Sequence, residues 1–155
     1  MSCTDRLRAA VVLAVAVAAG HAQAALGEPA TSVAAEQAQL HAARRQTFGP
    51  QVQVHTLQWA DGSQVRQYAG PDGRIYAVAW NTRGKPQLSL LLGSHYDRYV
   101  AAVRAAQRAR PGVRHAGQWQ DGELVVEAVA HGTVFSGRAY LSTMIPPGQG
   151  RDAIR

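Results

Sequence analysis

The chain has 155 residues and a mass of 16.5 kDa, long enough for one domain with a core and too short for two independent catalytic domains. Its 46% apolar and 17% charged residues exclude wholesale disorder. The formal charge of +6 is carried by arginine with a single lysine, Lys85. In a chain marked for export this does not point to nucleic acid.

The first 24 residues read as a cleaved signal peptide. Arg6 and Arg8 precede an apolar run over 9–19, and Ala22-Gln23-Ala24 places small residues where a signal peptidase inspects them. The run is far shorter than the roughly 20 residues that span a bilayer. The expected product is a periplasmic chain that starts at Ala25 and has no transmembrane segment. Removing Arg6, Arg8 and Asp5 takes the formal charge from +6 to +5. Cys3, the single cysteine, leaves with them, so disulfides, thiolate metal sites and a cysteine nucleophile are excluded from the mature chain.

A helix is expected over 33–46, capped by Thr31 or Ser32 and closed by Arg44 and Arg45 before Gly49-Pro50. From Val52 the pattern alternates. Val52 and Val54 have one parity and Leu57 and Trp59 the other, as a bulge would produce. Asp61-Gly62 predicts a two-residue type I′ turn, followed by a return strand over 65–68. Gly70-Pro71-Asp72-Gly73 predicts a second turn, and 74–80 a strand apolar on both faces and therefore central. Leu88, Leu91, Leu92, His95, Tyr96, Tyr99, Val100 and Val103 recur at spacings of three and four, predicting one amphipathic helix that ends near Arg108. Further strands are expected around Trp119, over 124–129 and over 133–141.

The two β regions echo each other. Gln58-Trp59-Ala60-Asp61-Gly62 matches Gln118-Trp119-Gln120-Asp121-Gly122, Val65 matches Val125, Ile75 matches Val134 and Tyr76 matches Phe135. These matches predict a degenerate internal repeat. The expected fold is α+β, antiparallel β-meanders with two helices in the order αβββαβββ, sharing one sheet with helices on one face. The domain is expected over 25–148, with a polar tail over 149–155.

A set of short motifs carries a resemblance. They are Ala25-Leu26-Gly27, Ser32-Val33, Arg44-Arg45, Val54-His55-Thr56-Leu57, Gly73-Arg74-Ile75-Tyr76-Ala77-Val78-Ala79-Trp80 and Leu91-Leu92-Gly93. Asp121-Gly122-Glu123-Leu124-Val125-Val126-Glu127, Gly137-Arg138-Ala139-Tyr140-Leu141 and Ile154 complete the set. Together they resemble an uncharacterised family of short exported proteobacterial proteins, domain-of-unknown-function family 2844. The resemblance covers essentially the whole chain and implies export and a single domain. The family has no assigned activity, so no catalytic residues carry over. His95-Tyr96-Asp97 departs from the small-plus-aromatic pattern expected after Leu91-Leu92-Gly93.

The residues offer little for catalysis. His41, His55, His95, His115 and His131 are far apart, with no His-x-x-x-His pair, so neither a metal site nor a cofactor is expected. His95, on the apolar stripe of the helix, reads as a core histidine hydrogen-bonded at its tip. Asp61, Asp72 and Asp121 each precede glycine and are accounted for by turns. Glu123 and Glu127 share strand parity and read as a solvated face. Ser94 and His95 are adjacent on a helix and point about 100° apart, the wrong arrangement for a nucleophile and its base.

Two features suit binding instead. Arg98, Arg104, Arg108, Arg110 and Arg114 face only Asp97 over residues 97–114, and their guanidinium forks suit phosphate or carboxylate. Trp59 and Trp119 stand before the two Asp-Gly turns, and an exposed pair of them would mark a ligand or partner patch. The expected function is a non-catalytic binding or envelope-accessory module whose partner is another envelope protein. A second reading is an anionic lipid or polysaccharide binder through the arginines. A third is an enzyme whose site assembles only in the fold, around His95 with Glu123 or Glu127.

Overall fold

The computed structural model describes residues 25–34, 37, 41–109 and 116–155. The segment expected as a signal peptide, part of the first expected helix, and Arg110 and Arg114 lie outside the described residues. The fold is α+β. Seven strands, β1 (Ala43–Phe48), β2 (Gln53–Gln58), β3 (Gln64–Ala69), β4 (Ile75–Arg83), β5 (Ala116–Asp121), β6 (Leu124–His131) and β7 (Val134–Leu141), form one antiparallel sheet in the order β1-β2-β3-β4-β7-β6-β5. Between β4 and β5 the chain forms helix α1 (Leu88–Leu92), a 3-10 turn (Gly93–His95) and helix α2 (Tyr96–Ala109). This crossing takes the chain from the centre of the sheet to its far edge, so β7 returns to pair with β4.

β4 is central, and Ile75–Trp80 is buried throughout, as an apolar pattern on both faces requires. One face packs Leu57, Val65, Val78, Trp80, Val126 and Leu141 beneath Leu26, Val33, Leu91 and Leu92. The other packs Tyr68, Tyr76, Val125 and Tyr140 against Ile154. Residues 142–155 therefore cross that second face instead of leaving it as a loose tail. Arg138 Nη1 donates to the main-chain oxygens of Arg151 (2.8 Å) and Ile154 (3.3 Å). Tyr68 Oη donates to that of Arg155 (2.7 Å).

Several expectations are corrected. Val33, Ala34 and Gln37 are helical, but Ala43–Phe48 is strand β1, paired with β2 from Ala43↔Gln58 to Phe48↔Gln53. Arg44 and Arg45 thus sit on an edge strand and not in a last helical turn, and the order αβββαβββ does not hold. The change of parity in β2 needs no bulge: Val54 packs on one covered face and Leu57 on the other. The bulge lies between Tyr68 and Ala69, where Tyr76 is the extra residue on β4.

Asp61-Gly62 sits inside a five-residue connection between Gln58 and Gln64. There the Asp61 carboxylate accepts from Ser63 N (2.8 Å) and Ser63 Oγ (3.0 Å), an Asx turn in place of a type I′ turn. The matching Asp121-Gly122 instead closes β5 onto β6 through Gly122 and Glu123 alone. The repeat is not confirmed: the meanders β2-β3-β4 and β5-β6-β7 meet at β4 and β7, but residues matched in sequence do not match in the sheet. Val65 and Val125 pack on opposite faces.

The single expected helix is broken at Gly93, whose φ of 51° and ψ of −124° lie outside helical space. A Cβ there would collide with Ala25. Leu26 N donates to Leu91 O (3.0 Å), so the segment after residue 24 docks directly on the break. The same segment runs on beside β4: Gly27 N donates to Ile75 O (2.7 Å), and Ile75 N to Glu28 O (2.9 Å).

Candidate functional site

Small residues on the helix-covered face create an open cleft. Trp80 on β4 faces Gly137 on β7, Ala128 on β6 and Gly117 on β5 across one row of the sheet. A Cβ at Gly137 would collide with the Trp80 ring, so the indole lies flat over the glycine. Trp119 lies over Gly117 in the same way and takes the edge of Tyr99 from α2 at 5.6 Å and 88°. Between α2 and the β6–β7 hairpin this leaves an open cleft of about 990 Å³, walled by Trp80, Tyr99, Trp119 and Phe135. Lys85, Gln107 and His131 also line it, and among the described residues no carboxylate does. Aromatic walls with a few polar groups and net positive charge suit a partner that offers an apolar anchor beside an acid.

The two tryptophans of interest do not form one patch. Trp59 lines a smaller cleft of about 220 Å³ beside Asp61, Arg83 and Leu91. Both are half-buried and packed against the helix-side core. Lys85 and Pro86 line both clefts, so the loop before α1 separates them.

The arginines divide as well. Arg98 is engaged: its Nε donates to Asp121 Oδ2 and its Nη2 to Asp121 O, both at 2.8 Å. This contact holds the Asp121 carboxyl below its usual range. Arg104 and Arg108 are exposed on α2 and flank a shallow groove with Gln107.

The acid–base candidates hold structural positions. Glu123 lies in the β5–β6 turn and accepts from Thr143 Oγ1 (2.6 Å). Glu127 pairs with Arg138 across β6 and β7 at 2.7 Å, with both side chains about a quarter exposed. Glu123 and Glu127, expected on a solvated face, are thus engaged in one turn contact and one cross-strand ion pair. His95 sits at the start of α2, and neither aromatic cleft is lined by it. Burial and the Arg98 charge lower its pKa, against opposing pulls from Glu123 and Glu28. His55, buried on β2, is also lowered, by burial and by Arg44, whose Nη2 donates to its Nδ1 (3.1 Å). Among the described residues no group of three or more His, Cys, Asp or Glu side chains could hold a metal ion, and no helix is long and apolar enough to cross a membrane.

Sequence reasoning singled out Trp119 through its Trp-x-Asp-Gly signal. Trp80 is expected on a covered central strand and Tyr99 on the apolar stripe of the helix, and both positions hold; periodicity places a residue on a face without showing which part of that face stays open.

No curated protein and no solved structure matches the chain. The motifs singled out above fall within one match. Ala25-Leu26-Gly27 seats on Leu91-Leu92-Gly93, and Ile154 closes the second face. The model of the family described as protein of unknown function, DUF2844, matches residues 22–154, and the chain belongs to that family.

Proposed function

We propose that the protein is an exported, non-catalytic binding module of the periplasm, and that it grips a segment of another envelope protein in the cleft between α2 and the β6–β7 hairpin. The observation that carries this reading is the cleft's composition: four aromatic walls, Lys85 and His131, and no carboxylate among the described residues. An apolar or aromatic anchor flanked by an acidic residue complements it in shape and charge. Export is supported by the order of residues 1–24 and by a family match that begins only at residue 22. The non-catalytic part is supported by Glu123, Glu127, Asp61 and Asp121, each already engaged in a structural contact.

Crosslinking in intact cells, followed by capture of the tagged protein and mass spectrometry, tests this reading. Wild type and an Arg104→Gln/Arg108→Gln variant are expected to capture the same envelope protein, and Trp119→Ala to lose it while keeping its circular dichroism. Retention of that protein by Trp119→Ala, or no protein captured at all, contradicts the reading. The intact mass of the exported chain is expected to correspond to a start at Ala25.

A further inference from the structure

The opposite face of the sheet carries a second site of different chemistry. In its register Arg45 on β1 stands opposite Thr56 on β2, which stands opposite Arg66 on β3. The two arginines share one face at a separation of about 10 Å, two strand spacings. Arg155 joins them, because Tyr68 and Arg66 hold its main-chain oxygen at 2.7 and 2.6 Å. The result is a groove of about 450 Å³ lined by Arg45, Arg66, Arg155, Thr47, Thr56 and Gln64, with no Asp or Glu side chain among the described residues that line it. Asp152, the nearest acid on the crossing segment, is exposed and does not line it.

We propose that this groove binds an acidic polysaccharide through the carboxylates of its uronic acid residues. Guanidinium forks match carboxylates, and the threonine hydroxyls and glutamine amides match sugar hydroxyls. The groove includes residues of β1, an edge strand, so a polymer can run past it. A lipid surface fits less well. The one large apolar side chain exposed on β1, Phe48, alternates to the opposite face and offers no wedge beside the groove. This site is independent of the aromatic cleft and does not use the arginines of α2.

Isothermal titration calorimetry of the purified protein with oligogalacturonate tests the proposal. A neutral maltooligosaccharide and phosphatidylglycerol vesicles serve as comparison ligands. Oligogalacturonate is expected to bind, with affinity falling as salt rises, and the neutral sugar not to bind. Arg45 is exposed on an edge strand, so Arg45→Gln should fold and weaken binding about tenfold. Arg104→Gln/Arg108→Gln and Trp119→Ala should leave it unchanged. Undiminished binding by Arg45→Gln, or equal losses from both arginine sites, would overturn the proposal. So would vesicle binding that depends on Arg45 without any binding of oligogalacturonate.

Discussion

The face of the sheet under α1 and α2 and the face under residues 142–155 are made by the same seven strands but closed by different means. The helix side is sealed by apolar side chains from two segments, Leu26 and Val33 before the sheet and Leu91 and Leu92 after β4. The opposite side is closed by one narrow crossing, anchored by Ile154 and by main-chain hydrogen bonds from Arg138 and Tyr68. A wide apolar cover excludes water except where small residues leave a depression, and there it leaves an aromatic cleft. A narrow cover leaves polar strand positions open on either side, and there it leaves arginines. One sheet thus presents two chemistries, set by what covers each face more than by the strands themselves.

The sharpest way to break this comparison is to cut one anchor on each side. Leu92→Ala on the helix side should cost about 3 kcal/mol, because Leu92 is fully buried and its surroundings are held by α1, β4 and the N-terminal segment. Ile154→Ala on the opposite side should cost only about 1–2 kcal/mol, since the crossing segment can detach locally and limit the loss. Urea unfolding of both variants measures the difference, and equal losses would mean that the two covers are alike. Gly137→Ala should cost about 2 kcal/mol by pushing a Cβ into the Trp80 ring and the Glu127 main-chain oxygen. It should also shift tryptophan fluorescence, which a change on the opposite face should not do.

A smaller effect concerns pH. His55 and His95 both titrate below 6.5 in the folded protein, so the unfolded chain takes up their protons first. Their contribution to stability is therefore complete above about pH 6.5 and is lost as pH falls below it. Tm should drop on acidification from about pH 7 to 5, and His55→Gln should flatten part of that drop. A Tm that rises over the same range contradicts the burial of these rings. The smallest effect is expected from Arg98→Ala. Its ion pair with Asp121 is well exposed, and thermal unfolding should show no resolvable change.

The parts of the fold legible in the sequence are those whose causes are local. The two-faced apolar run of β4 and the turn at Gly73 follow from neighbouring residues. The parts that were not legible have distant causes. The break at Gly93 answers to Ala25, far away in the chain. Arg44 and Arg45 suit a helix C-terminus as well as an edge strand, and only pairing with β2 decides between them. Residues 149–155 read as a tail because one isoleucine among polar residues gives no periodic signal. Its partners, Tyr68 and Arg138, come from other strands. The candidate site divides the same way. Trp119 announces itself in its motif, whereas the groove of Arg45, Arg66 and Arg155 exists only through the strand register.

The central claim, that the helix-side cleft is where a partner protein binds, is tested most directly by a photo-crosslinking amino acid placed in intact cells at three positions. These are Gln107 at the cleft, Thr47 on the arginine face and Asp72 in the β3–β4 turn. The account predicts a protein adduct from Gln107 that disappears in the Trp119→Ala background, and no such adduct from Thr47 or Asp72. The same adduct from all three positions, or from Thr47 alone, would contradict it.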